Sequence, residues 1–298
     1  MINQLSISDL AFEKIKKRRL DAENRFYEIS LFQRNEEADE LTKKINKLNR
    51  LIGKAMSDDV EYDELVKEKS ELEKKLSSLS PSNGLAVEYY CKKCNDIGFL
   101  NGKTCECFKK VYNELLCEKL GIPQRNNVTF NDDTLSKKIT TLSRAYVKYS
   151  EIKYSNFNSS LFIGLCGTGK SFLAQCLASK FEQEKNVLFL SAFNLNNVFV
   201  KYHSAPIEEK PFYFSALTDC DLLIIDDLGT EPIYNKVTVE YLFMVIDERR
   251  KNDKPFLITT NLDLKELFSR YGERVFSRLV QEGKTDILYF EDKNLRNL

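Results

Sequence analysis

The chain has 298 residues, of which 42% are hydrophobic and 30% are charged, and its 45 basic residues balance 45 acidic ones. This composition excludes a wholly disordered or fibrous protein, and the balanced charge excludes a general attraction to nucleic acid, so any DNA contact must be local. No apolar stretch is long enough for a membrane span or a signal peptide, and the spacing of the eight cysteines does not suggest a disulfide framework; we therefore expect a cytoplasmic protein.

Residues 7–79 predict a helical region, because they are rich in Lys, Glu and Leu and contain one glycine and no proline. Two apolar stripes at helical spacing predict two long helices: Leu41, Ile45, Leu48 and Ile52, and then Leu65, Leu72, Leu76 and Leu79. Gly53 and the polar residues 57–59 predict a turn between them, which gives an antiparallel helical hairpin. The repeats are too few for a long coiled coil, and residues 80–84 predict the end of the region.

A small cysteine module follows the helices. Cys91 and Cys94 form one closely spaced pair, and Cys105 and Cys107 form another. Two such pairs joined by a turn-rich loop can place four thiolates around Zn²⁺, with no position left for a reacting water, so the metal would be architectural. A redox dithiol pair and unligated cysteines are the alternatives.

The chain after Gly121-Ile122-Pro123 predicts an α/β domain. Short apolar runs alternate with helical stretches, and we expect strands at Leu161–Gly164, Val187–Ser191, Leu222–Asp226, Phe256–Thr260 and Ile287–Phe290. Strands separated by helices imply a parallel sheet that is covered on both faces.

The segment from Gly164 to Ser171 has the eight-residue pattern of a phosphate-binding loop and lies between a predicted strand and a predicted helix. Its backbone amides and the start of the helix would bind phosphates, Lys170 would reach the β and γ phosphates of ATP, and the Ser171 hydroxyl would bind Mg²⁺. The alternative is a glycine-rich turn without a ligand. The predicted nucleotide contacts are Gly164, Leu165, Cys166, Gly167, Thr168, Gly169, Lys170, Ser171 and Phe172.

Polar residues end two further strands. Asp226 and Asp227 follow an apolar run, and we expect Asp226 to hold Mg²⁺ and Asp227 to act as general base on the attacking water. Such a pair can also form a simple turn. Asn261 follows the next strand, matches the position of sensor I in AAA+ ATPases, and would orient the water without adding charge.

Two arginines lie four residues apart on one face of a predicted helix. Arg274 and Arg278 repel each other slightly at this spacing, and a phosphate in reach would more than reverse that repulsion. We therefore predict an arginine finger for the ATP of a neighbouring subunit, and we favour Arg278. Exposed arginines that pair with Glu273 or Asp263 are the alternative.

Residues 199–203 mix aromatic and basic side chains, a combination that binds single-stranded DNA. Lys201 and Tyr202 are the residues that would make the contact. Packing of a helix face explains Phe199 equally well, and the local charge is weak.

Together these motifs resemble the bacterial replicative-helicase loaders of the DnaC/DnaI type, from about Arg19 onward. The specific points are Cys-x-x-Cys-x-Asp-x-Gly-Phe with Cys-x-Cys, Gly-Ile-Pro, the phosphate loop, Ile-Asp-Asp-Leu-Gly, Thr-Thr-Asn and Arg-Tyr-Gly-Glu-Arg-x-x-x-Arg-Leu. Cys166 stands where the family often has proline.

The resemblance implies a P-loop AAA+ protein that deposits a hexameric DnaB-type helicase on single-stranded DNA under ATP control. Residues 1–84 would bind the partner, 85–122 would form the zinc module and 123–298 the ATPase domain. Further expectations are self-association through the ATPase domain and contacts with initiator proteins. Eight residues follow the last predicted strand, so no helical lid is expected, and Arg296 is the candidate sensor II arginine.

Two other functions stay open. An IstB-like transposition helper shares the ATPase core, although the helical hairpin and the cysteine module argue against it. A nucleotide-gated binding module, in which ATP switches the shape and hydrolysis is incidental, would not need Asp227.

Overall fold

The structure is a computed structural model that describes residues 6–32, 36–57, 62–79, 86–125, 128–132 and 140–290. The chain divides into two compact units, one formed by Glu13–Gly102 and the other by Met1–Phe12 together with Lys103–Leu298. The predicted functional boundaries after residues 84 and 122 stay predictions. None of the helices in the described part of the chain is both long and apolar enough to cross a membrane.

Among the described residues the helical region contains three helices, where we predicted two: α1 (Ile7–Phe32), α2 (Glu36–Ser57) and α3 (Asp63–Leu79). Helices α2 and α3 pack against each other as the predicted hairpin. The turn does not begin at Gly53, because α2 continues to Ser57, and residues 58 and 59 of the predicted turn lie outside the described residues. The predicted break at residues 80–84 lies outside the described residues.

A two-stranded hairpin of β1 (Phe99–Leu100) and β2 (Lys103–Thr104) lies in the cysteine segment. Its two connecting residues, Asn101 and Gly102, both have positive φ, of 50° and 74°. Two residues with positive φ form the tight turn whose twist matches that of paired strands, and an Asn-Gly pair adopts it readily. The sequence therefore builds this hairpin locally.

Within the described residues, a five-stranded parallel sheet forms the centre of the unit that contains Lys103–Leu298. Its strand order is β4-β5-β6-β3-β7. All five predicted strands are confirmed, and two of them match to the residue. The strands are β3 (Ser159–Gly164), β4 (Val187–Ser191), β5 (Leu222–Leu228), β6 (Phe256–Thr260) and β7 (Thr285–Phe290).

Helices cover both faces of this sheet, as predicted. They are α4 (Glu106–Leu120), α5 (Thr140–Glu151), α6 (Lys170–Phe181), α7 (Ala192–Ser204), α8 (Lys210–Thr218), α9 (Thr238–Lys251) and α10 (Leu264–Leu279). Successive residues of β3 point to opposite faces, so Leu161 packs in the core shared with α7 to α10, whereas Phe162 packs in the core shared with α5 and α6.

The connections bring several loops to one edge of the sheet. Strand β3 lies between β6 and β7, although β4 follows it in the chain. In parallel α/β sheets the carboxyl ends of the strands, where the strand order changes direction, are the usual place for a ligand. The segments after β3, β5 and β6 meet at that edge.

Candidate functional site

The phosphate loop connects β3 to α6 and depends on its glycines. A Cβ atom on Gly164 would lie 2.3 Å from the carbonyl oxygen of Phe290, so only glycine fits there. Gly167 and Gly169 have φ values of 80° and 93°, which glycine adopts without strain. Helix α6 begins directly after Gly169, and the first amides of a helix are a common site for an anion.

Lys170 connects the loop to β6. Its ammonium group donates hydrogen bonds to the carbonyl oxygens of Gly164 and Leu165, both at 2.7 Å, and to Oδ1 of Asn261 at 2.9 Å. The residue is 4% exposed, and this burial lowers the pKa of Lys170, while the nearby charge of Asp227 raises it. The structure thus brings Lys170, Asn261 and Asp227 together from three segments of the chain.

Asp226 lies at the end of β5 and is held by two hydroxyl groups. Thr259 donates a hydrogen bond of 2.6 Å to its carboxylate, and Ser171 of α6 also bonds to it. Burial raises the pKa of Asp226, and these two hydrogen bonds oppose that shift. Ser171 and Asp226, the two residues that we expect to hold Mg²⁺, are therefore adjacent.

Thr259 was not among the predicted site residues, although it belongs to the Thr-Thr-Asn motif. It is fully buried in β6, and its hydroxyl also accepts a hydrogen bond of 2.8 Å from the backbone amide of Asp227. One hydroxyl therefore sets the positions of both acids. A threonine in an apolar strand looks like an ordinary β-branched strand residue, so its only signal was its place two residues before Asn261.

The two predicted finger arginines lie on the second half of α10, after a break at Gly272, and both rest against α9. Arg278 pairs with Asp247 at 2.7 Å, and the guanidinium group of Arg274 lies over the ring of Phe243. Hydrogen bonds from Lys251 and Arg278 lower the pKa of Asp247.

The expected alternative partners of Arg278 were Glu273 and Asp263, and the structure assigns Asp247 instead. Asp263 caps the start of α10, where it accepts a hydrogen bond from the amide of Glu266. Arg296 lies outside the described residues. The predicted absence of a lid stays a prediction.

The sulfur atoms of Cys91, Cys94, Cys105 and Cys107 all lie within 4.8 Å of one another. Zn–S bonds of about 2.3 Å place the sulfurs of a tetrahedral site about 3.8 Å apart, so this cluster fits a zinc ion. Asp96 is buried beside the first pair and accepts hydrogen bonds from the amides of Tyr90 (2.8 Å) and Cys91 (2.9 Å). It was not among the predicted site residues.

The aromatic and basic side chains of residues 199–203 have partners within the domain. Lys201 donates a hydrogen bond of 2.7 Å to the carbonyl oxygen of Leu120, the last residue of α4. Phe199 and Tyr202 both pack edge-on against Tyr241. These contacts favour the packing explanation for the segment, and the DNA contact stays a prediction.

Comparisons with known proteins show which proteins this chain is similar to. Residues 126–281 match the family model of the IstB-like ATP binding proteins. Over 147 residues the chain is 30% identical to the replicative helicase loader DnaC of Escherichia coli strain K12, an alignment that covers 48% of this chain and 58% of DnaC. DnaC of Buchnera aphidicola (subsp. Acyrthosiphon pisum, strain APS) is 29% identical over 140 residues, which covers 46% of this chain and 56% of that protein.

The chain thus spans somewhat more than half the length of these relatives. Among solved structures, a crystal structure of the DnaC helicase loader aligns with a TM-score of 0.46 and 24% identity and covers 55% of this chain and 97% of that one. A crystal structure of DnaI aligns with a TM-score of 0.44 and 18% identity and covers 60% of this chain and 93% of that one.

Proposed function

This chain belongs to the IstB-like ATP-binding protein family, and we propose that it is an ATPase that loads a hexameric DnaB-type replicative helicase onto single-stranded DNA. The relatives named replicative helicase loader support the choice of helicase loading within this family. The four-cysteine cluster and the helical hairpin add to that support, since neither belongs to the shared ATPase core.

The convergence of Lys170, Asn261, Asp226 and Ser171 at one edge of the sheet is the observation that carries the proposal. Lys170 exchanges its loop carbonyls for the β and γ phosphates of ATP. Ser171 and Asp226 would hold Mg²⁺, whose charge stabilises the phosphate oxygens. Asp227 accepts the proton of the attacking water, and Asn261 orients that water.

Arg278 completes the site of a neighbouring copy. Its side chain is 42% exposed and that of Asp247 is 14% exposed, so their ion pair is only partly buried, and Asp247 keeps Lys251 as a partner at 2.8 Å when Arg278 leaves. Exchanging Asp247 for a phosphate group therefore costs little, while a charge-assisted bond to phosphate in the transition state gains considerably more. Arg274 lies on the same half-helix and supports the same interface. Hydrolysis then requires at least two copies of the chain.

The remaining regions have supporting roles in this proposal. Residues 1–84 bind the helicase, and contacts with single-stranded DNA and initiator proteins add to that binding. Cys91, Cys94, Cys105 and Cys107 hold a structural zinc ion, because four thiolates leave no position for a reacting water.

The test is a loading assay with the cognate replicative helicase and closed circular single-stranded DNA. We expect the parent chain to retain the helicase and to deliver it to the circle with ATP, and Asp227→Ala to bind both ATP and helicase but to deliver little. A folded, ATP-binding parent that retains no helicase would contradict the proposal and favour the transposition helper. Delivery by Asp227→Ala at the parent rate would instead indicate the nucleotide-gated binding module.

A further inference from the structure

A buried carboxylate lies in the loop between β5 and α9, four residues after Asp227. Glu231 is 3% exposed, and its carboxylate accepts a hydrogen bond of 2.8 Å from the amide of Gly229 and another from the hydroxyl of Tyr271 in α10. Arg270 donates to the carbonyl oxygen of Glu231, and its guanidinium group lies 3.7 Å from the carboxylate. Because an unpaired buried carboxylate is strongly unfavourable, these contacts fix the position of Glu231.

Short contacts connect the loop that carries Glu231 to Asp227 and to the segment after β6. The hydroxyl of Thr230 donates a hydrogen bond of 2.8 Å to the carbonyl oxygen of Asp227. Gly229 has a φ of 112°, and a Cβ atom there would lie 2.6 Å from the side chain of Leu262, the residue after Asn261. A displacement of Asp227 or of the end of β6 is therefore transmitted to Glu231.

Helix α10 receives this loop just before its break. Tyr271 is 2% exposed, and burial together with Glu231 raises its pKa, so the hydroxyl stays a neutral donor at physiological pH. The next residue, Gly272, has non-helical angles (φ 78°, ψ 169°), and the arginines follow it. The first half of α10 is therefore bound to the loop that contains Glu231, and the second half carries Arg278.

We propose that Glu231 and Tyr271 are a positioning pair that couples the ATP site of one subunit to the Arg278 that it offers to its neighbour. The inference rests on the proposed function, since Arg278 needs a shared ATP site. Two routes of contact connect the loop between β5 and α9 to Arg278. One runs along α9 to Asp247 and ends in its partly buried ion pair with Arg278, whereas the buried Glu231–Tyr271 bond is another. Arg250 of α9 also donates two hydrogen bonds to the carbonyl oxygen of Arg278, at 3.0 and 3.1 Å. These contacts hold the second half of α10 to α9, whereas the Glu231–Tyr271 bond holds the first half to the loop after Asp227.

The test uses mixtures of full-length variants. Arg278→Ala keeps its nucleotide site but offers no arginine, whereas Lys170→Ala has lost the phosphate-binding ammonium group but keeps Arg278. When these two variants are mixed in equal amounts, any hydrolysis above the sum of their separate rates arises at interfaces between an Arg278→Ala subunit and a Lys170→Ala subunit. We expect Tyr271→Phe, added to the Lys170→Ala subunit, to lower kcat of the mixture about tenfold, since misplacement of a catalytic group can reduce a rate by about 10²-fold. The KM for ATP should stay unchanged, because ATP binds to the other subunit.

Tyr154→Phe in the same subunit is the matched control. The hydroxyl of Tyr154 is also partly buried and donates a hydrogen bond of 2.9 Å to the carbonyl oxygen of Asp221, which directly precedes β5. The Tyr154→Phe substitution also removes a hydrogen bond of a tyrosine hydroxyl, but at the opposite end of β5, so we expect kcat of the mixture to stay the same. Glu231→Gln is the second test variant: it keeps the side-chain volume, should also lower kcat, and decides the test if Tyr271→Phe does not fold.

Two outcomes would overturn the positioning pair, and they differ in what else they refute. If kcat is the same with and without Tyr271→Phe or Glu231→Gln, the pair has no influence on Arg278 and the proposed function still stands. If Arg278→Ala and Lys170→Ala together produce no added hydrolysis, the shared ATP site is refuted, and the positioning pair with it.

Discussion

Replacing Thr259 with valine removes one hydroxyl from between the two acids of the candidate site while keeping the branched shape of the side chain. The hydrogen bond to the Asp226 carboxylate is lost, and the amide of Asp227 loses its acceptor. A hydrogen bond to a charged group contributes about 1.5–3 kcal/mol, and an unpaired buried amide costs about 1–3 kcal/mol. We expect the free energy of unfolding to fall by about 2–4 kcal/mol, because protonation of Asp226 recovers part of the loss.

Thr260→Val is the control for this experiment. Thr260 is equally buried in the same strand, and its hydroxyl donates to the carbonyl oxygen of Leu228 at 2.6 Å and accepts from the amide of Leu262 at 3.1 Å. Its partners are uncharged. Urea unfolding should therefore show a loss of stability for both variants, whereas calorimetry should show weaker binding of Mg·ATP for Thr259→Val alone.

The pH dependence separates the two variants further. Burial raises the pKa of Asp226 above that of the unfolded chain, so its contribution to stability is complete at low pH and is lost as the pH rises through the folded pKa. The Thr259 bond opposes this shift, so the pKa rises further without it. The stability difference between parent and Thr259→Val should therefore grow as the pH rises from the unfolded Asp value of about 3.9 towards neutral. A difference that is constant over this range, as expected for Thr260→Val, would refute the role of Thr259.

Three further predictions concern other parts of the chain. Asp226→Asn should raise the free energy of unfolding at neutral pH, because it removes a buried charge, while Mg·ATP should no longer stabilise it in urea titrations. Arg278→Ala should bind ATP as tightly as the parent, but its rate of hydrolysis per chain should no longer rise with protein concentration; full turnover by a demonstrated monomer of the parent would contradict this. Asp96→Ala should weaken zinc binding about 10–100-fold in a chelator competition, since it removes the acceptor that orders the amide of Cys91.

The strands were predictable because a buried parallel strand is a continuous apolar run with polar ends. Val187–Ser191 and Phe256–Thr260 match the structure to the residue. Helix α1 was not predicted as a separate element, because its buried positions include the small residues Ala11 and Ala22, which give only a weak apolar stripe. The glycine at position 53 was misread because a single glycine inside a helix is tolerated at about 1 kcal/mol.

The candidate site was predictable as a set of residues and not as a set of contacts. Motif spacing placed Lys170 and Asn261 at the same edge of the sheet, but their hydrogen bond joins residues 91 positions apart, for which periodicity carries no information. The pairing of Arg278 with Asp247 joins α10 to α9 and is equally invisible in the sequence. Such contacts depend on how helices pack on the sheet, whereas spacing reports only which residues share a strand end or a helix face.

The site also shows why function and stability oppose each other here. Burial lowers the pKa of Lys170 and raises the pKa of Asp226, so in both cases the surrounding protein disfavours the ionised form. Phosphate oxygens beside Lys170 and a divalent cation beside Asp226 would favour the ionised form of each, so a ligand that carries both charges stabilises the fold through both groups. Lys170 and Asp226, both penalised by burial, are therefore residues that the proposed function requires, and replacing them with neutral residues should make the domain more stable and inactive.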